Sequence, residues 1–301
     1  MLSHAASAMG VVAAENAFGK DSEFPFNLVP RALWTVPEVG AVGITEEEAD
    51  KQEGEIFLEK EETMELKDKV AIITGASSGI GRAVARNLNE AGVRLVLTGR
   101  REERLAALAA ELTHTVTLAG DIVNSELPNQ LLRTALDTFG RCDIVFNNAG
   151  ILKTGSIEDV SIDELCYMVR VNVEAAYRLA YLALKHFKST GSGFLLNTSS
   201  VLGTKVRPSA GAYAGTKYAI EALTEGLRIE VAKTDIGVAC VEPGLVETEL
   251  QRDWGEPASK RLNISRPLQP TDIARVVRFV LEQPEHVRIQ RVLVMPTDHD
   301  L

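Results

Sequence analysis

From residue 64 onward, short apolar runs alternate with longer stretches in which leucine and alanine recur every three or four positions. The run V-A-I-I-T at residues 70–74 has no charged residue, as a strand covered on both faces requires. Similar short runs at 94–98, 115–119, 143–147, 193–198, 237–241 and 291–295 predict further strands. Between them, residues 82–91 and the spacing of Leu105, Leu108 and Leu112 predict helices. Two longer helical stretches are expected at about 162–187 and 210–233. Strand and helix in alternation predict an α/β chain: a doubly wound parallel sheet with helices on both faces.

This pattern begins near Met64, where a polar lead, M-E-L-K-D-K, runs into the first apolar strand. The preceding E-G-E-I-F-L-E-K-E-E-T is charged and reads as a linker. Two parts are therefore expected, an appendage at 1–63 and a domain at 64–301. Charge divides at the same place. Residues 1–63 hold 13 acids and 4 bases, leaving 29 acids and 28 bases for the rest. A nearly neutral body gives no basic face for nucleic acid. No apolar run approaches the roughly 18 residues of a membrane span, and no secretory or transit signal is evident. A cytoplasmic location and no membrane partner are expected. Cys142, Cys166 and Cys240 form no C-x-x-C pair and are expected to be reduced and mostly buried thiols. Five scattered histidines without H-E-x-x-H point away from zinc, and no metal is expected.

The first strand leads into T-G-A-S-S-G-I-G, Thr74 to Gly81. Gly75, Gly79 and Gly81 lie between strand and helix, the setting in which glycines let backbone approach a pyrophosphate. With Ser77, Ser78 and Ile80 they form a candidate phosphate cradle; its other reading is a structural βα turn. The end of the second strand bears on which dinucleotide is held. An NAD site places an acid there for the ribose 2′-hydroxyl. Here Gly99 stands in that place, and Arg100 and Arg101 follow. Guanidinium groups suit a 2′-phosphate, so NADP (NADPH) is the expected cofactor. Against this, the arginines could be a solvated helix start, an objection that weighs more on Arg101 than on Arg100.

Tyr213 and Lys217 are four residues apart, on one helix face, and Ser200 lies thirteen residues before the tyrosine. A free tyrosine, with a pKa of about 10, is a poor base near neutrality, and a nearby ammonium lowers that value. A serine hydroxyl can hydrogen-bond a carbonyl or alkoxide. Alone, a Y-x-x-x-K pair reads as a surface pair on a helix. Joined to Ser200 and the cradle, it predicts hydride transfer with the tyrosine moving the proton.

Residues 64–301 resemble the short-chain dehydrogenase/reductase family along essentially their whole length. The resemblance implies a seven-stranded Rossmann-type sheet and a homodimer or homotetramer. It implies that Asp121 and Ile122 lie at the adenine, and that Asn147-Asn148-Ala149-Gly150 lies beneath the adenosine half. Asn172 matches the family asparagine that supports the lysine, completing a tetrad with Ser200, Tyr213 and Lys217. Pro243, Gly244, Val246 and Thr248 match the loop on the nicotinamide side. Arg100, Arg101 and the ending E-Q-P-E-H-V-R-I-Q-R-V-L-V-M-P-T are similar to an NADP-dependent branch acting on serine and other 3-hydroxy acids. The expected substrate is a small carbonyl or secondary alcohol, bound at Ser200 and Tyr213 under a lid at 249–265. That lid carries Arg252, Trp254, Lys260 and Arg261, which serve either a substrate carboxylate or solubility. A 3-oxoacyl thioester reductase is the alternative enzyme; a non-catalytic NADP-binding regulator is the alternative of another class.

Residues 1–63 resemble part of dihydrolipoamide dehydrogenase, from the last helix of the flavin domain into the dimerisation domain. The flavin glycine motif, the redox cysteine pair and the catalytic histidine of that family are not in this stretch. Apolar residues such as Val12, Leu33 and Trp34 would need something to pack against. A fusion remnant or misassigned start before Met64, a docked appendage and a partner-recruiting arm are the three possibilities.

Overall fold

The structure is a computed structural model that describes residues 31–33, 39–41 and 64–299. The chain divides into two compact units, Met1–Glu61 and Glu62–Leu301. In the first, β1 (Arg31–Leu33) pairs antiparallel with β2 (Val39–Ala41). The expectations for the rest of residues 1–63, including Val12 and Trp34, lie outside the described residues.

The second unit is built on seven strands: β3 (Val70–Thr74), β4 (Arg94–Gly99), β5 (Thr115–Ala119), β6 (Ile144–Asn147), β7 (Ser192–Thr198), β8 (Asp235–Pro243) and β9 (Arg291–Val294). Their order is β5-β4-β3-β6-β7-β8-β9, and every neighbouring pair is parallel. This is the expected seven-stranded, Rossmann-type α/β sheet. Winding reverses between β3 and β6, and a crevice opens beyond the strand ends at such a switch point.

Both faces of the sheet are covered, which explains the unbroken apolar run of β3. Its alternate residues serve opposite cores. Val70 and Ile72 pack with Leu131, Leu179, Phe187 and Ile220, whereas Ala71 and Ile73 pack with Leu88, Leu105, Ile273 and Val277. The first core lies under α3 (Leu127–Phe139), α5 (Ala176–Thr190) and α6 (Gly211–Glu230). The second lies under α1 (Gly79–Glu90), α2 (Glu102–Glu111) and α8 (Pro270–Leu281).

Several boundaries differ from the sequence pattern for definite reasons. Asp143 does not extend β6; its carboxylate accepts from the Val70 amide at 2.8 Å and pairs with Arg141. The long helix expected at 162–187 is α4 (Ile162–Val169), then a π-helical stretch at Arg170–Ala175, then α5. The wider turn carries buried Asn172. Glu242, on β8, is only 1% exposed and receives a bidentate pair from Arg291 on the edge strand β9, at 2.5 and 2.9 Å. A carboxylate so deep needs such a partner.

Candidate active site

One cavity of about 940 Å³ lies along the carboxyl ends of β3, β4, β6, β7 and β8. It collects Gly75, Ser77, Ser78, Gly79, Ile80, Arg100, Arg101, Asp121, Ile122, Asn148, Ala149 and Gly150 at one end. Ser200, Tyr213, Lys217, Pro243, Gly244, Val246 and Thr248 line the same cavity. Three expected residues, Gly81, Asn147 and Asn172, are not on its wall.

The turn after β3 is held from across the sheet. Thr74 Oγ1 accepts from the amides of Asn148 and Ala149, both at 2.9 Å, and Asn148 Nδ2 donates to the Thr74 carbonyl at 3.0 Å. Gly75 sits at φ 68°, which a side chain rarely tolerates. At Gly81 a Cβ would come within 2.5 Å of the Gly75 carbonyl oxygen, so helix and turn meet closer than any other residue allows. Ser78, at the N-cap of α1, makes no side-chain cap. The first amides of the helix therefore lack a capping side chain, as an anion site requires.

Arg101 reaches into this turn. Its Nε and Nη2 approach Ser77 Oγ at 3.3 and 3.2 Å, Nη2 donates to Ser78 Oγ at 2.5 Å, and Nη1 pairs with Glu249 at 2.5 Å. Glu249 also takes Arg104 at 2.6 Å, and the two hydrogen bonds from Arg101 and Arg104 hold its carboxyl below its usual range. Arg100 is exposed on the cavity edge. The sequence favours Arg100 over Arg101 as the anion-binding side chain; in the structure it is Arg101 that rests on the two serines.

Asp121 has both oxygens engaged. Tyr167, on α4, donates to Oδ2 at 2.6 Å, and the Val123 amide donates to Oδ1 at 3.1 Å. That bond to Asp121, helped by burial, raises the Tyr167 phenol above its ordinary value. Tyr167 lines the cavity and is a residue that the motifs alone do not reveal.

At the other end Ser200 caps the short 3₁₀ turn Val201–Gly203, accepting from the Leu202 amide at 3.2 Å, and its hydroxyl lies 3.5 Å from the Pro243 carbonyl. The Tyr213 phenol is buried beside Ser200. Lys217 Nζ donates to the Thr198 carbonyl at 2.9 Å and lies 5.7 Å from the centre of the Tyr213 ring. Asn172 stands behind, joined to both backbone groups of Ile151 at 2.9 Å and to Thr216 Oγ1 at 3.2 Å. Burial pushes the tyrosine up to about 12, opposed by the Ser200 hydroxyl and by Arg207. Burial also pushes Lys217 down to about 8. In this structure burial, rather than the lysine expected to depress it, sets the direction of the tyrosine shift.

The expected lid contains a 3₁₀ turn at Glu249–Trp254 and α7 (Ala258–Arg261). Arg252 and Trp254 line the cavity, while Lys260 and Arg261 do not. Arg207 joins them there, its guanidinium carbon 5.4 Å from the centre of the Trp254 ring. Nothing in the motifs marks Arg207, although it lies between Ser200 and Tyr213. Cys142 and Cys240 are buried, but Cys166 is exposed. Among the described residues no cluster of potential ligands could hold a metal ion, and no helix is long and apolar enough to cross a membrane.

A family model for short chain dehydrogenases matches residues 69–259. An uncharacterized oxidoreductase of Staphylococcus aureus (strain USA300) is 37% identical over 233 residues, covering 77% of this chain and 98% of the relative. Another, from Staphylococcus saprophyticus, is 35% identical over 240 residues, with 77% and 99% covered. Among solved structures, serine dehydrogenase in its closed form with NADP+ superposes with a TM-score of 0.71 at 27% identity, over 75% of this chain and 94% of that one. A 3-ketoacyl-(acyl-carrier-protein) reductase from Brucella melitensis, complexed with NADH, gives 0.70 at 30% identity, over 76% and 97%. These matches do not bear out the likeness of residues 1–63 to dihydrolipoamide dehydrogenase.

Proposed function

Because the chain belongs to the short chain dehydrogenase family and is an oxidoreductase, we propose that it moves hydride between NADP(H) and a small carbonyl or secondary alcohol. The observation that carries this is the meeting of Ser200, Tyr213 and Lys217 on the wall of a cavity whose far end is a glycine turn lined by Arg101. The residues present fit a dinucleotide. A Cβ at Gly81 would close the turn, and Ser77, Ser78 and Arg101 supply the donors a phosphate requires. Gly75, Ser77 to Ile80, Asp121, Ile122, Asn148, Ala149, Gly150, Pro243, Gly244, Val246 and Thr248 would line the bound dinucleotide, with Gly81 behind them letting the helix approach the turn. Arg100 and Arg101, with glycine rather than an acid at position 99, favour the 2′-phosphate form.

When bound, NADPH supplies the hydride to the carbonyl carbon. Tyr213 Oη donates its proton to the carbonyl oxygen, and Ser200 Oγ hydrogen-bonds that oxygen as charge builds on it. A phenol kept protonated by burial is suited to act as the acid in reduction. Lys217, held by Thr198, places a donor beneath the tyrosine, while Asn172 fixes the neighbouring backbone. The likeness to the Brucella reductase keeps a 3-oxoacyl thioester in view as a second substrate. Assembly as a homodimer or homotetramer in the cytoplasm belongs to the same proposal.

The test is oxidation of NADPH and NADH over ketones, aldehydes, 3-oxo acids and 3-oxoacyl thioesters, with NADP+-dependent oxidation of 3-hydroxy acids alongside. Turnover should fall by about 10²- to 10⁴-fold in Tyr213→Phe. Turnover unchanged in that variant would remove the tyrosine from the chemistry.

A further inference from the structure

Most bases around the substrate end of the cavity are already neutralised. Lys153 is paired with Glu164 at 2.7 Å and Asp253 at 3.1 Å, and Arg252 lies 3.5 Å from Asp253. Arg207 is different. It is half-buried and lines the cavity, yet among the described residues no carboxylate pairs with it. It lies over the Trp254 ring, and Arg261 lies over that same ring at 4.8 Å. Two guanidinium groups thus share one indole without an acid between them. Desolvation and the neighbouring Arg261 both work against the Arg207 charge, and only the Tyr213 phenol favours it.

A cation in that position requires an anion from elsewhere. Guanidinium presents a planar fork of donors, and carboxylate is the anion that accepts it bidentately. Stacking on tryptophan fixes the fork without using its donors. Resting on the hydride-transfer function above, we propose that Arg207, braced on Trp254, anchors a carboxylate on the substrate, and that the substrate class is short oxo acids and their hydroxy acid partners. The anchor lies at the same end of the cavity as Tyr213 and Ser200, so one small molecule can present its carboxylate to Arg207 and its oxygen to the tyrosine.

Selectivity, rather than rate, tests this. Wild type, Arg207→Gln and Arg207→Lys are assayed with NADP+ on two secondary alcohols that differ only in charge, 3-hydroxybutyrate and 3-hydroxybutyramide. The acid-to-amide ratio of kcat/KM should fall by roughly 10- to 100-fold in Arg207→Gln, as expected for losing a charge-assisted pair, and recover in part with lysine. Both compounds are read on the same protein, so a folding defect cancels. In parallel, calorimetry measures malonate, a carboxylate that cannot react, binding to protein saturated with NADP+. Binding to wild type that is lost in Arg207→Gln supports the anchor. An unchanged ratio, or malonate bound alike by both proteins or by neither, overturns it. If no alcohol is oxidised by any of the three proteins, hydride transfer fails as the function, and the malonate titration alone decides the role of Arg207.

Discussion

Tyr213 and Lys217 sit one helical turn apart, yet burial moves their protons in opposite directions, the phenol up to about 12 and the amine down to about 8. The consequence for stability has a definite sign. Between about 8 and the ordinary lysine value of 10.5, the unfolded chain holds a proton on Lys217 that the folded chain does not. Stability therefore rises with pH through that window. Above 10 the tyrosine opposes it, because only the unfolded chain then loses that proton. Urea midpoints measured below pH 8 and near pH 10 should rise more in wild type than in Lys217→Met; equal rises would place the titration elsewhere. The arginines after β4 make a second case. Arg101 lies on Ser77 and Ser78, so Arg101→Ala should weaken NADPH by roughly 10- to 100-fold, the loss of one charge-assisted pair, and leave NADH much less affected. Arg100→Ala should show the same preference more weakly. Fluorescence titration with both cofactors checks this, and similar losses for both would refute a 2′-phosphate role.

The β3-turn-α1 element was legible because its chemistry is local: an apolar strand, glycines at fixed spacing and a helix. Central strands were equally plain, since cover on both faces demands continuous apolar residues. Helix α3 was harder to see, as its buried stripe is narrow (Leu127, Pro128, Leu131 and Ala135) and includes a proline in the first turn. By contrast, α8 carries its own start signals in the sequence, a capping box between Gln269 and Asp272 with Pro270 in its first turn. The π-helical turn at Arg170–Ala175 leaves no mark in residue types, because it changes only how the chain is wound. Tyr167, Arg207 and Trp254 reach the site through tertiary packing rather than through motif spacing. The close approach of α1 to its turn gives a prediction at this scale. Gly81→Ala puts a methyl 2.5 Å from the Gly75 oxygen and 2.8 Å from Asn148 Nδ2. Overpacking of that kind costs about 1–3 kcal/mol. The variant should melt at a lower temperature and bind NADPH more weakly; an unchanged melt and affinity would show that the turn yields freely.

Sheet, both cores and the whole cavity lie within the unit Glu62–Leu301, and the charge asymmetry of the sequence divides at nearly the same place. A chain beginning at Met64 should therefore match the full-length protein in kcat and in urea midpoint. Loss of either would assign residues 1–63 a part in the enzyme. Within this unit the glycine turn depends on residues far away, since the Thr74 hydroxyl is satisfied by amides 74 and 75 positions later. On a ribosome adding about 5–20 residues per second, those partners follow Thr74 after roughly 4–15 s. A nascent chain thus displays the motif T-G-A-S-S-G-I-G for several seconds before the turn proposed to hold phosphate can close, and on that proposal cofactor can stabilise the newborn protein only after β6 and Asn148 have emerged and docked.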